Sequence, residues 1–111
     1  LTLTLALTLQ AADWPQWRGP NRDGVSKETG LLPEWPADGP AVRWKRADIG
    51  PGYSSPSVAG GKVYVQTTDG QDEFALCLDE KTGKDVWKAP IGRVGTKRGM
   101  DYPGTRSTPT V

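Results

Sequence analysis

A short pattern that occurs twice restricts the folds open to this chain more than any other feature. Residues 54–58 read SSPSV, and residues 107–111 read STPTV, 53 residues later. Every position keeps its physical type, with hydroxyl residues around a proline and a valine at the end. A period of this length is typical of architectures that repeat one supersecondary unit.

The residues that follow the first copy alternate between apolar and polar side chains over short runs, as β-strands do. Turn-forming pairs interrupt these runs at Gly60-Gly61, Asp69-Gly70 and Thr82-Gly83. This order predicts one antiparallel meander of four short strands. The predicted strands cover residues 54–58, 62–68, 73–79 and 85–91.

A single four-stranded meander exposes both of its faces and cannot bury a core alone. Meanders arranged as blades around an axis cover one another, and the period found here is roughly that of a blade. We therefore predict an all-β fold, a β-propeller fragment, in which residues 53–92 form about one four-stranded antiparallel blade. The first strand of the next blade is predicted to begin at residue 106.

A second partial repeat lies before this blade. Trp44-Lys45 followed by Ile49-Gly50 is matched by Trp87-Lys88 followed by Ile91-Gly92. Residues 41–46 are therefore predicted to be the outer strand of the closing blade. Its inner strands are expected from the C-terminal part of a longer protein, because pairing the first and last blades protects the sheet edges.

The first dozen residues, LTLTLALTLQAA, have two interpretations that stay open. An apolar run that ends in small residues is typical of the later part of a secretory signal peptide, whereas alternating Leu and Thr also fit a strand. We favour the signal-peptide remnant, which predicts an exported protein, periplasmic or extracellular. Because the chain lacks an initiator Met and ends in a strand pattern, we expect a piece of a longer protein.

Residues 13–40 show little periodicity and many turn formers. We predict an irregular Trp- and Pro-rich segment, pinned to a larger body by its indoles, with one short helical turn over residues 26–32. A sugar-stacking platform is the alternative for these tryptophans. Residues 41–111 are predicted to be the start of the propeller.

Composition excludes several classes of function. The net charge is +1, so no bulk electrostatic field selects nucleic acid. The chain has no His, which excludes Ser-His-Asp and Cys-His nucleophiles and His-ligated zinc or haem from this segment. Cys77 is alone, so no disulfide forms within the chain.

Residues 74–87, FALCLDEKTGKDVW, resemble the pyrroloquinoline-quinone-like (PQQ-like) repeat family and its tryptophan-docking pattern. Asp79, Thr82, Gly83 and Trp87 match that pattern at the family's spacing, and Cys77 stands where Ala is usual. The resemblance implies structural roles for these residues: Thr82-Gly83 forms the tight turn, Asp79 ties it by hydrogen bonds, and Trp87 stacks between neighbouring blades.

The N-terminal WPQWRGPNRDG followed by this repeat also resembles a group of exported bacterial PQQ-like propeller proteins, many of them BamB-like. The resemblance implies a non-catalytic scaffold or binding module that meets other proteins through its loops. Membrane association is expected only through periplasmic assembly. The alternative is a quinoprotein (PQQ-dependent) alcohol or sugar dehydrogenase. Its PQQ and calcium would be held in the full-length protein, since no catalytic, cofactor-binding or metal-ligating residue is assigned here.

Strand direction predicts which face carries function. The connections at residues 50–53, 69–72 and 93–106 should lie on one face, and the two glycine turns on the other. Loops on a rigid scaffold are where binding sites usually lie. Asp69-Gly70-Gln71-Asp72 lacks the ligand spacing of a calcium loop. The ligand or partner face is predicted to include Tyr53, Arg98, Tyr102 and Arg106.

Overall fold

The chain folds around one four-stranded antiparallel sheet in a computed structural model that describes residues 11–94 and 104–111. The strands follow one another in space in the order of the sequence, and no helix occurs within these two ranges. The predicted all-β fold class is confirmed, and the sheet has the form of one propeller blade. The strands are β1 (Ser57–Ala59), β2 (Lys62–Asp69), β3 (Asp72–Asp79) and β4 (Asp85–Arg93).

β1 is shorter than the predicted strand at residues 54–58. Pro56 has no amide hydrogen to donate, so the ladder does not extend through it. The Ser54 hydroxyl instead accepts a hydrogen bond from the Gln66 amide at 3.1 Å. The side chain of Ser54 thus replaces one backbone bond of the ladder.

One face of the sheet carries the apolar core. Val65, Leu76 and Leu78 are buried there, and Trp44 and Ile49 pack against them from the preceding segment. Cys77 points to the opposite face, because neighbouring residues of a strand alternate sides. Its side chain is fully buried, and this burial raises the pKa of the thiol.

Three predicted elements do not form within the described residues. Residues 106–111, predicted to be the first strand of the next blade, form no ladder, and only the isolated bridge at Thr105 precedes them. Residues 41–46 belong to no ladder and bend at Arg43, because no other strand of the described chain lies beside them. Residues 26–32 contain no helical turn, since Gly30 adopts a φ of 73°, which a right-handed helix does not allow. The Ser26 hydroxyl instead accepts a local bond from the Glu28 amide.

Candidate functional site at the linker face

The two copies of the repeated pattern lie side by side. Gly52 and Thr105 form a parallel bridge, and the Tyr53 amide donates a hydrogen bond to the Thr105 carbonyl at 2.6 Å. The Ser54 hydroxyl donates to the Ser107 carbonyl at 2.7 Å. Residues that are 53 positions apart in the sequence therefore face one another in space.

This contact continues along both copies and has a fixed direction. The Ser57 hydroxyl donates to the Pro109 carbonyl, further from the bridge. Neighbouring parallel strands need a long crossover connection, and here the whole meander provides it. The segment that leads into β1 is thus the in-register neighbour of the equivalent segment 53 residues later.

The connections predicted to share a face also meet in the structure. Gly50 lies against the end of β2, where a Cβ atom on it would come within 1.9 Å of the Thr68 carbonyl oxygen. Gly104 approaches the same residue from the second copy, with its ideal Cβ position 2.9 Å from the Thr68 hydroxyl. The Val94 amide donates to the Gln71 carbonyl at 2.9 Å. We call residues 50–53, 69–72 and 104–106 together the linker face.

Two of the four predicted face residues lie in the described chain. Tyr53 is 59% exposed, and Arg106, also exposed, occupies the equivalent position of the second copy. The bridge between Gly52 and Thr105 makes these two side chains neighbours in successive units. Arg98 and Tyr102 lie outside the described residues.

A groove of about 270 Å³ opens beside Arg106. Its lining residues include Gln66, Glu73 and Thr105. An amide, a carboxylate and a guanidinium together offer both donors and acceptors to a polar ligand. Composition alone gave no sign that Gln66 and Glu73 would lie here, because the groove forms only when the second copy packs on the sheet.

The turn that joins β3 to β4 is built as the family resemblance implied. One oxygen of the Asp79 carboxylate accepts bonds from the Lys81 amide at 3.1 Å, the Thr82 amide at 2.8 Å and the Thr82 hydroxyl at 2.7 Å. The Gly83 amide donates to the Asp79 carbonyl at 2.8 Å. These contacts give Asp79, Thr82 and Gly83 a structural role.

Trp44 docks on this turn. Its indole nitrogen donates to the Glu80 carbonyl at 2.8 Å, and its ring covers Gly83 so closely that a Cβ atom there would come within 2.6 Å of it. Gly83 has a φ of 68°. The sequence analysis did not predict this contact: it predicts an outer strand around Trp44 and stacking between neighbouring blades for Trp87.

Trp87, the matching residue of the repeated Trp-Lys pattern, lies on β4 and is only partly covered by the described residues. Its side chain is 44% exposed, and the Tyr64 ring lies 6.1 Å away, centroid to centroid, on the same face of the sheet. Stacking of Trp87 between neighbouring blades stays a prediction.

Arg46 fastens the segment that carries Trp44. Its guanidinium donates to the Gly83 carbonyl at 2.9 Å and forms ion pairs with Asp48 and Asp85. The hydrogen bonds that Arg46 donates to the carboxylates of Asp48 and Asp85 raise the pKa of Arg46, so the guanidinium stays charged. Arg46 thus ties residues 44–48 to the start of β4.

Replacing Asp79 with Asn is expected to flatten the dependence of stability on pH under acid conditions. The Thr82 hydroxyl, and then the Thr82 amide, lower the pKa of Asp79. A carboxyl whose folded pKa is lowered stabilises the fold above its unfolded pKa of about 4, and this contribution disappears as the pH falls through the lowered folded pKa.

Denaturant unfolding of both proteins between about pH 2 and pH 6 measures this effect. Asp38→Asn, at an exposed position of the N-terminal segment, is the matched control. Parallel curves for the parent protein and the Asp79→Asn variant would contradict the role given to this carboxylate.

The described part of the chain brings together no three His, Cys, Asp or Glu side chains in an arrangement suited to a metal ion. Within residues 11–94 and 104–111, no helix has the length and apolar character needed to cross a bilayer. A scan of protein-family models and searches of curated proteins and of solved structures found no match to this chain. Its function is therefore argued from the geometry of the linker face and the docking turn.

Proposed function

We propose that this chain is the start of an exported β-propeller of the PQQ-like repeat type, which serves as a non-catalytic scaffold or binding module. The observation that carries the proposal is the parallel, in-register contact between residues 52–54 and 105–107. Radial blades place their innermost strands side by side in this way around an axis. The docking of Trp44 on the Gly83 turn supports the same arrangement, since it covers the core face of the sheet.

The binding surface in this proposal is the linker face, with Tyr53 and Arg106 beside the axis. The two residues occupy equivalent positions in successive units, while the serines that follow them are the same in both copies. A residue that differs between the two copies can determine which partner binds, because the fold of the repeat does not depend on its identity. The sequence of residues 93–106 contains four cationic residues and one acidic residue, which favours an acidic protein surface as partner.

Photo-crosslinking in cells that express the full-length protein tests this proposal. A photoreactive residue at position 53 or 106 is expected to give an adduct with an exported protein. The same residue in place of Lys81, an exposed position on the opposite face, should give none. Arg106→Glu should lower the adduct yield at position 53 by roughly tenfold, because it reverses the local charge. Equal yields from both faces, or no effect of the charge reversal, would overturn the assignment of this face.

The quinoprotein dehydrogenase is the alternative that the matched motif residues Asp79, Thr82, Gly83 and Trp87 leave open. In this alternative the PQQ and calcium site would lie mostly in blades of the full-length protein outside this chain, and no calcium ligand is assigned to the residues described here. No catalytic step is therefore derived from them; the redox chemistry would be the cofactor's.

Titration of the full-length protein with PQQ and calcium separates the two functions. The scaffold proposal predicts no saturable binding and no dye-linked oxidation of alcohols or sugars. Saturable binding with turnover would replace it by the quinoprotein alternative.

A further inference from the structure

The N-terminal segment does more than cover the surface, because it pairs with the sheet. The Trp14 amide donates to the Val58 carbonyl at 2.8 Å, and the Val58 amide donates back to the Trp14 carbonyl at 2.9 Å. This two-bond antiparallel bridge lies on the edge of β1 that faces away from β2. It satisfies backbone groups that an edge strand otherwise leaves open.

The same segment also reaches the second copy. The Val111 amide donates to the Pro15 carbonyl at 2.9 Å. The carboxylate of Asp13 accepts from the Gly60 amide at 3.3 Å, at the turn between β1 and β2. All of these contacts lie at the ends of the two copies that are remote from the linker face.

The conformation of this segment is fixed by its own residues. The Trp14 ring lies over Gly19, which is buried and has a φ of 73°. A Cβ atom on Gly19 would come within 2.7 Å of that ring. The Gly19 amide donates to the Gln16 carbonyl at 2.9 Å, which closes a turn directly after Pro15. The chain therefore presents Trp14 and Pro15 to the two copies as a preformed unit.

We propose that residues 13–19 form a strap that joins the first two repeats at the end of the axis where the glycine turns lie. The strap pairs with the inner edge of β1 and binds the Val111 amide, two residues beyond the carbonyl that Ser57 of the first copy already holds. The strap thereby covers the end of the propeller axis at which the glycine turns lie. The opposite end, at the linker face, stays accessible to a partner. This inference rests on the proposed propeller, in which β1 is an innermost strand.

Hydrogen exchange in the full-length protein with Gly19→Ala tests the strap. The new methyl group would overlap the Trp14 ring, so residues 13–19 should separate from β1 and from Val111. The amides of Val58 and Val111 lose their acceptors and should exchange on the order of tenfold faster. Gly30→Ala is the matched control, because Gly30 has the same φ of 73° in the same segment but no atom within 4 Å of its ideal Cβ. That variant should leave both amides unchanged.

The Tyr53 amide separates failure of the strap from failure of the propeller. It donates to Thr105 at the linker face, where the strap makes no contact. If Tyr53 is protected but Val111 exchanges freely in the parent protein, the strap is wrong and the paired repeats stand. If Tyr53 and Val111 both exchange freely, the pairing of the repeats is wrong as well. Acceleration of Val58 alone in Gly19→Ala would confine the segment to the first repeat and overturn the strap.

Discussion

Replacing Gly50 with Ala should destabilise the folded protein by about 4 kcal/mol, which is more than most single substitutions do. Gly50 has a φ of 80°, where an L-residue costs roughly 1–2 kcal/mol. The added methyl group would also lie 1.9 Å from the Thr68 carbonyl oxygen, which belongs to the backbone of β2. Relief of such an overlap requires a shift of the strand end, at a further cost of about 1–3 kcal/mol.

Gly39→Ala is the matched control, because Gly39 has the same φ of 80° and no atom within 4 Å of its ideal Cβ. Gly39→Ala should cost only the strain of an L-residue at positive φ, roughly 1–2 kcal/mol. Urea unfolding of the full-length variants, followed by tryptophan fluorescence, gives both free energies. Equal costs at the two positions would contradict the close approach of the first linker to β2.

Truncation of Trp44 to Ala is expected to cost about 3–5 kcal/mol. The indole packs against the buried core of Val65, Leu76 and Leu78, and its nitrogen donates to the Glu80 carbonyl. Removal of the ring opens a cavity and leaves that carbonyl without its donor.

Two further variants separate the parts of this effect. Trp44→Phe keeps an aromatic ring at Gly83 but loses the hydrogen bond, so it should cost about 1–2 kcal/mol. Trp35→Ala removes an indole that is 72% exposed and should change the free energy of unfolding by less than about 0.5 kcal/mol. Similar losses for Trp44→Ala and Trp35→Ala would contradict the docking of Trp44.

The sheet could be predicted from the sequence because its signals are local. Alternating apolar residues mark β2 and β3, and a glycine-containing pair ends each of them. Asp79, Thr82 and Gly83 lie within five residues of one another, so the motif already contains every bond of its turn. Such features depend on period and turn chemistry, which a single sequence carries.

Contacts between distant segments could not be predicted in the same way. The bridge between Trp14 and Val58 uses only backbone atoms, so no side-chain pattern marks it. The groove beside Arg106 needs the exact packing of the second copy on β2 and β3.

Residues 41–46 show that a strand pattern in the sequence does not by itself produce a strand. Their pattern favours a strand, but a strand exists only with a neighbour, and residues 11–94 and 104–111 supply none there. The Trp44 side chain from this stretch nevertheless finds its docking turn.

The paired copies are the central claim, and a disulfide between positions 52 and 105 tests it most directly. The ideal Cβ of residue 52 lies 2.8 Å from the Thr105 side-chain oxygen, which suits a bridging sulfur. The buried Thr105 hydroxyl has no hydrogen-bond partner within the described residues, so its replacement removes no bond seen there.

Full-length protein with Gly52→Cys and Thr105→Cys in a Cys77→Ala background should form the bridge under mild oxidation, as peptide mass spectrometry would show. Ser55→Cys with Thr105→Cys, which is out of register, should not. Failure of the first pair, or equal bridging by both pairs, would contradict the parallel, in-register contact of the repeats.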